Sequence, residues 1–261
     1  MSRVLAVVLL LCVAAAAQTA PAPITEVAFE TEIPLSQWND LPAIVWTDSS
    51  QLSLAQDALQ RKEIFKNNRV NVSLVNIAVG ETTPVHKHSR DFISVYLSGD
   101  HLQQTVSGEK PDTQKIEAGE VRFRNAGYTH STKNVGTAPF QAVMIEFADA
   151  QGPSKKVQKK SHTCTPNSKL CVDEKELFCT DKVCVEDVEM APGSVTVRHS
   201  HATDHMLVAV SDYELTDEVE GKGTVVRRHK SGEVEYIPAG ITHRLTNTGK
   251  EPARFTVILW K

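Results

Sequence analysis

The chain lacks a strong excess of charge of either sign. Its 28 lysines and arginines and 32 aspartates and glutamates give a formal net charge of −4 over 261 residues. This balance argues against a nucleic-acid partner and against a polybasic membrane anchor. The sequence also lacks a GxSxG nucleophile motif and a glycine-rich phosphate loop, which are the usual marks of serine hydrolases and phosphate-binding folds.

The chain has a single long apolar run, which lies at its N-terminus. Val4–Ala17 is apolar throughout, follows Arg3 and ends in small residues that suit cleavage. The run is short for a membrane span. We therefore expect residues 1–17 to be a signal peptide, with an uncleaved anchor as the alternative. The mature protein would then be periplasmic or secreted, with no stable membrane span.

Cysteine is scarce outside one short region. Apart from Cys12, the four cysteines are Cys164, Cys171, Cys179 and Cys184. An even number in an exported chain favours two disulfides. We favour the local pairs Cys164–Cys171 and Cys179–Cys184, since turn residues between the latter two would close a hairpin. The other two connectivities and a four-cysteine zinc site stay open, although zinc sites usually show CxxC pairs.

What the sequence does contain is an internal repeat of about 85 residues. Glu63–Phe147 aligns without a gap with Glu176–Trp260, at an offset of 113 positions. The offset places His86, His88 and His130 on His199, His201 and His243. The repeat predicts two copies of one domain. We place the first copy, with a leading arm, at 18–148, a solvated linker at 149–162 and the second copy at 163–261.

Short β-strand patterns dominate both copies. β-Branched and aromatic residues cluster in segments such as Val70–Val79, Phe92–Leu97 and Ala142–Phe147, separated by Gly, Asp, Asn and Pro. Many short strands at regular spacing predict an all-β fold with a sandwich or barrel in each copy. One helix is expected, at Ser50–Lys62 after the N-terminal arm, where apolar residues recur at helical spacing.

The repeated histidines have the spacing of metal ligands. Alternate side chains of a strand share a face, so each His-x-His pair directs two imidazoles into one interior. The third histidine of each copy follows a glycine-containing turn and would come from a neighbouring strand. Convergent histidines are typical of transition-metal sites.

The residues around these histidines resemble the two motifs of the cupin family. Gly80–Gly99 resembles the first motif, Gly-x5-His-x-His-x3-ligand-x6-Gly, with Phe92 at the fourth-ligand position. Gly232–Asn247 matches the second motif, Gly-x5-Pro-x-Gly-x2-His-x3-Asn, at every fixed position, and Gly119–Asn134 departs from it at Asn125. The resemblance covers about 170 residues and implies two tandem cupin jelly-roll β-barrels, which is a bicupin.

The ligand set departs from the family pattern, which usually supplies Glu as the fourth ligand. The second copy has His205 at that position, and the first has Phe92. The predicted ligands are therefore His199, His201, His205 and His243 in the second copy, and His86, His88 and His130 in the first. Imidazole is neutral, so the ion would keep its full charge and favour anionic oxygen ligands. Fe, Mn, Ni, Cu and Zn all accept such ligands, and the first site could instead be degenerate.

Other side chains give weaker signals. Tyr96 shares a strand face with the fourth-ligand position and could act as an acid near the metal, or be an ordinary core tyrosine. Arg122 and Arg124 alternate with apolar residues; we expect them outside in salt bridges, whereas facing inward they would bind an anionic ligand. Asn134 and Asn247 are expected to hold backbone near the third histidine.

Two hypotheses of function follow from the resemblance. The first is an exported metalloenzyme, of dioxygenase type, that acts on a small molecule at the all-histidine site of the second barrel, with a Lewis-acid isomerase or cyclase close behind. The second is a non-catalytic bicupin that binds a small ligand or a sugar. The resemblance is also compatible with a homodimer.

Overall fold

A computed structural model describes residues 61–157, 159–164 and 170–261 of the chain. The predicted signal peptide, the predicted arm and most of the helix predicted at Ser50–Lys62 lie outside these residues. Arg61 and Lys62, the last two residues of that predicted helix, are described, and they begin a strand. The described part consists of β-strands joined by turns, and it holds no helix that could span a bilayer.

The strands form two sets in the same order along the chain. The first set is β1 (Arg61–Lys66), β2 (Val70–Ile77), β3 (His86–Lys87), β4 (Phe92–Tyr96), β5 (Asp100–Val106), β6 (Asp112–Ile116), β7 (Val121–Arg124), β8 (Thr129–Asn134) and β9 (Phe140–Phe147). The second set is β10 (Lys155–Lys156), β11 (Lys160–Cys164), β12 (Cys171–Cys179), β13 (Val183–Met190), β14 (His199–Ser200), β15 (His205–Ala209), β16 (Tyr213–Val219), β17 (Gly223–His229), β18 (Val234–Ile237), β19 (Thr242–Asn247) and β20 (Ala253–Trp260). From β2 and β13 to β9 and β20, seven strands recur with identical bounds at the offset of 113 residues. The repeat in the sequence is therefore a repeat of the structure.

Each set forms two antiparallel sheets, as a jelly roll requires. In the first half the sheet orders are β1-β2-β9-β4-β7 and β3-β8-β5-β6. In the second half they are β10-β12-β13-β20-β15-β18, with β11 also paired to β12, and β14-β19-β16-β17. The predicted fold class, an all-β chain with two tandem jelly-roll barrels, is confirmed.

Three apolar clusters stabilise this arrangement. One lies in the first barrel around Ile77, and a larger one lies in the second barrel around Phe255. The third combines residues of both halves, such as Val72 with Ile258 and Trp260, so the larger sheets pack against each other through their outer faces. Complete burial of such a side chain contributes about 1.5–3 kcal/mol. Strands in these sheets are consequently buried on both faces, as the continuous burial of β4 and β15 shows.

Two equivalent glycine turns mark this contact between the halves. Gly119 has a φ of 80° and lies against the guanidinium of Arg254, which donates to the Ala118 carbonyl oxygen at 2.9 Å. Its repeat equivalent, Gly232, has a φ of 91° and lies against Leu97 of the other half. A side chain at either turn would be strained by the positive φ, and the flexible side chain of the opposite half would have to shift.

Two disulfides join Cys164 to Cys171 and Cys179 to Cys184. Each links neighbouring antiparallel strands, β11 to β12 and β12 to β13. The favoured local pairing is confirmed, and such bonds are typical of oxidising compartments. The predicted linker at 149–162 is not without regular structure, because β10 and the start of β11 pair with β12. The domain boundaries stay predictions.

Candidate metal centres

The first barrel brings His86, His88 and His130 together. The β3–β8 ladder places His86 directly opposite His130. Nitrogen atoms of the three rings lie within 4.8 Å of one another, and the Nε2 atoms of His88 and His130 are 3.2 Å apart. Two nitrogens that share one ion at about 2.0–2.1 Å stand roughly 3 Å apart, so the spacing suits a single metal.

Hydrogen bonds orient two of these imidazoles. His86 Nδ1 donates to the Pro84 carbonyl oxygen at 2.8 Å, and His88 Nδ1 donates to Glu146 Oε1 at 3.3 Å. Carbonyl and carboxylate oxygens only accept, so both rings carry their proton on Nδ1 and keep the Nε2 lone pair for a ligand.

Glu146 is a functional candidate that sequence reasoning missed. It bonds to Arg61 at 2.5 Å as well as to His88. The hydrogen bond from His88, followed by that from Arg61, holds the pKa of Glu146 at about 2 although burial raises it. The second copy has Leu259 at this position. The feature of the sequence that could have identified Glu146 is that it is the single acidic residue within the apolar strand β9.

Phe92 occupies the position of the fourth ligand. Its ring stacks on His88 with 4.0 Å between the ring centres. The adjacent carboxylate of Asp91 is engaged elsewhere, since it accepts the backbone N–H groups of Ala126 and Gln151, each at 2.6 Å. The first barrel therefore offers three histidines and an aromatic wall.

The second barrel repeats the triad and adds a fourth imidazole. His199 lies opposite His243 in the β14–β19 ladder, and ring nitrogens of His199, His201 and His243 lie within 4.8 Å of one another. The ring centre of His205 is 4.1 Å from that of His201, and His205 lines the same small cavity. His199 Nδ1 donates to the Val197 carbonyl oxygen at 2.9 Å, in the same way as His86 in the first barrel.

Burial keeps several of these imidazoles neutral. Desolvation, with the charges of neighbouring histidines, lowers the pKa of His201 to about 4 and that of His205 to about 3. The same causes lower the pKa of His130 to about 3. His243 Nε2 and His205 Nδ1 are buried and have no hydrogen-bond partner among the residues that the structure describes. Leaving such an atom unpaired costs about 1–3 kcal/mol, and a metal ion would satisfy it. The donor atoms fit a nitrogen-ligated transition metal.

A buried charge network supports the second centre. Asp217 is fully buried, accepts His243 Nδ1–H at 3.0 Å and pairs with Arg227 at 2.8 Å. Arg227 also pairs with Glu235. This arrangement fixes the His243 tautomer with Nε2 free. The equivalent positions of the first barrel carry Gln104, Gln114 and Arg122.

The two barrels differ in the space beside their histidines. The cavity of the first barrel has a volume of about 320 Å³, and that of the second about 50 Å³. The small cavity is lined by Glu174 and Glu186, which sequence reasoning also missed. Burial, together with the charges of Glu174 and Glu176, raises the pKa of Glu186.

Arg122 and Arg124 line the large cavity, so the expectation that they face outward is wrong. The residues that alternate with them on β7, Val121 and Phe123, pack into the cluster shared by the two halves. The outer face of this sheet is therefore an apolar contact and not a solvated surface. For this reason the arginines point into the barrel.

Tyr96 also lines the large cavity, together with Phe92, His86 and His130. The Arg122 guanidinium lies 5.4 Å from the centre of its ring, and burial raises the pKa of its hydroxyl. Tyr96 thus faces the predicted site. Its role as an acid stays a prediction.

The backbone role expected for Asn134 and Asn247 is confirmed. Asn134 Nδ2 donates to the carbonyl oxygens of Ile77 and Ala138, at 2.9 and 2.8 Å. Asn247 makes the equivalent pair of bonds in the second barrel. Both side chains thus fix the turn that follows the strand carrying the third histidine.

Comparisons with known proteins agree with this architecture. Residues 186–259 match the family model described as a cupin domain. Among curated proteins, no sequence is significantly similar to the chain. One similar solved structure is AerE from Microcystis aeruginosa, with 16% identity over 77% of this chain and 97% of that chain and a TM-score of 0.55. A second is a cupin 2 conserved barrel domain protein from Leptotrichia buccalis, with 16% identity over 83% of this chain and 97% of that chain and a TM-score of 0.52. A third is oxalate decarboxylase from Bacillus subtilis, described with Mn(II) centres, with 12% identity over 73% of this chain and 68% of that chain and a TM-score of 0.52. Residues 186–259 thus match a cupin domain, and the described residues have the cupin fold.

Proposed function

We propose that this protein is an exported bicupin that binds a divalent transition metal in each barrel and acts on a small organic molecule in the first barrel. The observation that carries the proposal is that ring nitrogens of three histidines in each barrel lie within 4.8 Å of one another, with His205 beside the second triad. The proposed ligands are His86, His88 and His130 in the first barrel, and His199, His201, His205 and His243 in the second.

The nature of the donors supports a transition metal such as Fe, Mn, Ni, Cu or Zn. A bound ion would act as a Lewis acid and, if redox-active, would permit oxygenase chemistry. The structural similarity to an oxalate decarboxylase described with Mn(II) centres supports a metal in this fold. The two disulfides support export to an oxidising compartment.

The space around the histidines favours the first barrel as the place of reaction. A cavity of about 320 Å³ falls within the usual range of small-molecule sites, roughly 300–1,000 Å³. Its three histidines would leave more coordination positions open than the four of the second barrel. The residues of this chain would orient the substrate between Tyr96 and Tyr128 and keep water out with apolar walls. The cavity of about 50 Å³ in the second barrel suits a metal held for stability.

A non-catalytic ligand-binding bicupin is the second candidate. The lining of the first cavity favours it in one respect, because no Asp or Glu among the described residues lines that cavity as a general base. A Lewis-acid isomerase or cyclase would use the same centre without dioxygen.

Dioxygen uptake by metal-loaded protein separates these functions. We expect Fe- or Mn-loaded protein to consume dioxygen with an oxidisable small molecule from a panel of diphenols, diketones and aromatic acids. Activity should be lost when His86 and His130 are replaced with alanine, and should remain when His199 is replaced. Loaded protein that binds members of the panel without turnover would favour the binding protein, and conversion without oxygen uptake would favour the isomerase.

An exchange between the two halves tests the assigned fourth position. Phe92→His gives the first barrel the ligand set of the second, and His205→Phe does the reverse. Because each ligand adds a bond to the ion, we expect the first change to tighten zinc binding to the first barrel by at least about tenfold, or 1.4 kcal/mol. The second change should weaken the second barrel similarly. Competition titration against a chromogenic chelator measures both, and unchanged affinities would remove this position from the ligand set.

A further inference from the structure

Among the described residues, the charged side chains that line the cavity of the first barrel are all cationic. Its wall includes Arg61, Arg122 and Arg124, and no aspartate or glutamate among the described residues lines it. The small cavity of the second barrel shows the opposite pattern, because Glu174 and Glu186 line it and no Lys or Arg of the described residues does. One barrel is therefore suited to an anion, and the other is suited to a cation.

The three arginines differ in how far their charge is already neutralised. Arg61 pairs with Glu146 at 2.5 Å, and Arg122 pairs with Glu120 at 2.7 Å. Arg124 donates to the Phe123 carbonyl oxygen at 2.9 Å, and within the described part of the chain it has no carboxylate at ion-pair distance. A half-buried guanidinium with free donors is suited to a carboxylate, whose two oxygens match its planar fork.

Arg124 lies close to the histidine triad. The β4–β7 ladder pairs it directly with Phe92, which stacks on His88. Its guanidinium lies 5.5 Å from the centre of the Tyr128 ring, and that ring is 4.7 Å from His130. An anion held by Arg124 would therefore lie beside the proposed metal centre.

Most of the remaining wall is apolar and aromatic. Ile77, Leu102, Phe140, Ala142 and Met144 line the cavity together with Tyr96 and Phe92. Such a wall favours a ligand that also carries an apolar body, because a small dianion would leave this surface unfilled.

We propose that the first barrel selects an organic monocarboxylate with an apolar or aromatic body, and that Arg124 binds its carboxylate with Arg122 beside it. The status of this ligand as a substrate rests on the proposed function. Binding of the ligand does not depend on the proposed function, since the guanidinium groups belong to the barrel wall and not to the histidine set.

Binding of 2-naphthoate tests this proposal, with 2-naphthamide as its neutral analogue. Isothermal titration on the metal-stripped full chain should show binding of the acid and at least tenfold weaker binding of the amide. Loss of a charge-assisted hydrogen bond predicts that Arg124→Met weakens naphthoate binding about 10–100-fold. Arg124→Lys should recover part of the loss. Arg228→Met, at an exposed ion pair of the second half, should leave the affinity unchanged.

Equal affinities for the acid and the amide, an Arg124→Met variant that binds like wild type, or no binding of the acid at millimolar concentration would each overturn the proposal. The same titration with a His86/His88/His130→Ala variant separates it from the metal centre. Naphthoate binding that persists in a variant or preparation without metal would leave the anion site standing even if the proposed metalloenzyme fails.

Discussion

Replacing His199, His201 and His243 together with alanine is expected to remove one equivalent of metal per chain and to lower the melting temperature markedly. A ligand that binds only the folded state at 100–1,000 times its dissociation constant stabilises that state by about 3–4 kcal/mol. For a protein of this size such a loss corresponds to a shift of roughly 6–16 °C. Elemental analysis and calorimetry of wild type and variant measure the two effects.

The repeat supplies a matched variant for this experiment. His86/His88/His130→Ala should remove the other equivalent and leave the second centre loaded. Treatment with a chelator should lower the melting temperature of the wild type, which has two ions to lose, more than that of either triple-alanine variant, which has one. Equal metal content in the wild type and in both variants would exclude both centres.

The fold and the positions of the histidines could be predicted because both depend on local patterns. Strand alternation and the offset of 113 residues place His86 and His199 at equivalent points, and seven strands keep that register in the structure. The cysteine pairs could also be predicted, since Cys179 and Cys184 flank a short turn. In each case the sequence separation is small or the repeat provides a second copy of the signal.

The arrangement of charges could not be predicted because it depends on packing between distant segments. The direction of Arg124 follows from burial of the opposite face of β7 against the second half, which no pattern within β7 reveals. Asp217 and Glu235 meet through Arg227, although 18 positions separate the two acids in the sequence. The first copy has different residues at these positions, so comparison of the two copies does not predict the network.

The two barrels also differ in how their interiors are filled. The second is filled by an apolar cluster and by buried ion pairs, and the space left beside its histidines is small. The first has a smaller apolar cluster, and apolar, aromatic and arginine side chains line a large cavity. The two copies therefore differ, because the interior of one barrel is filled by packed and ion-paired side chains and the other has room for a ligand.

Replacing Asp217 with asparagine is expected to weaken both the fold and the second metal centre. Asp217 is fully buried, and its carboxylate neutralises Arg227 while it orients His243. Removing one partner of a buried ion pair costs about 3–5 kcal/mol when the other charge is left unpaired, and the cost here should be smaller because Arg227 keeps its pair with Glu235. Loss of the carboxylate that orients a metal-binding histidine typically costs about 10–100-fold in metal affinity. Denaturant unfolding of the metal-free protein and a chelator competition titration measure the two losses separately.

The first barrel shows that the fold itself accepts an amide at this position, since Gln104 is the repeat equivalent of Asp217. A loss of stability in the variant would therefore reflect the loss of one of the two carboxylates that neutralise Arg227, and not a change of shape. Asp212→Asn, at an exposed pair with Lys230, is the matched control and should cost less than about 1 kcal/mol. A variant with reduced stability and unaltered metal affinity would show that Asp217 serves the packing of Arg227 alone. If Asp217→Asn were as stable as Asp212→Asn, the buried network would not stabilise the second barrel.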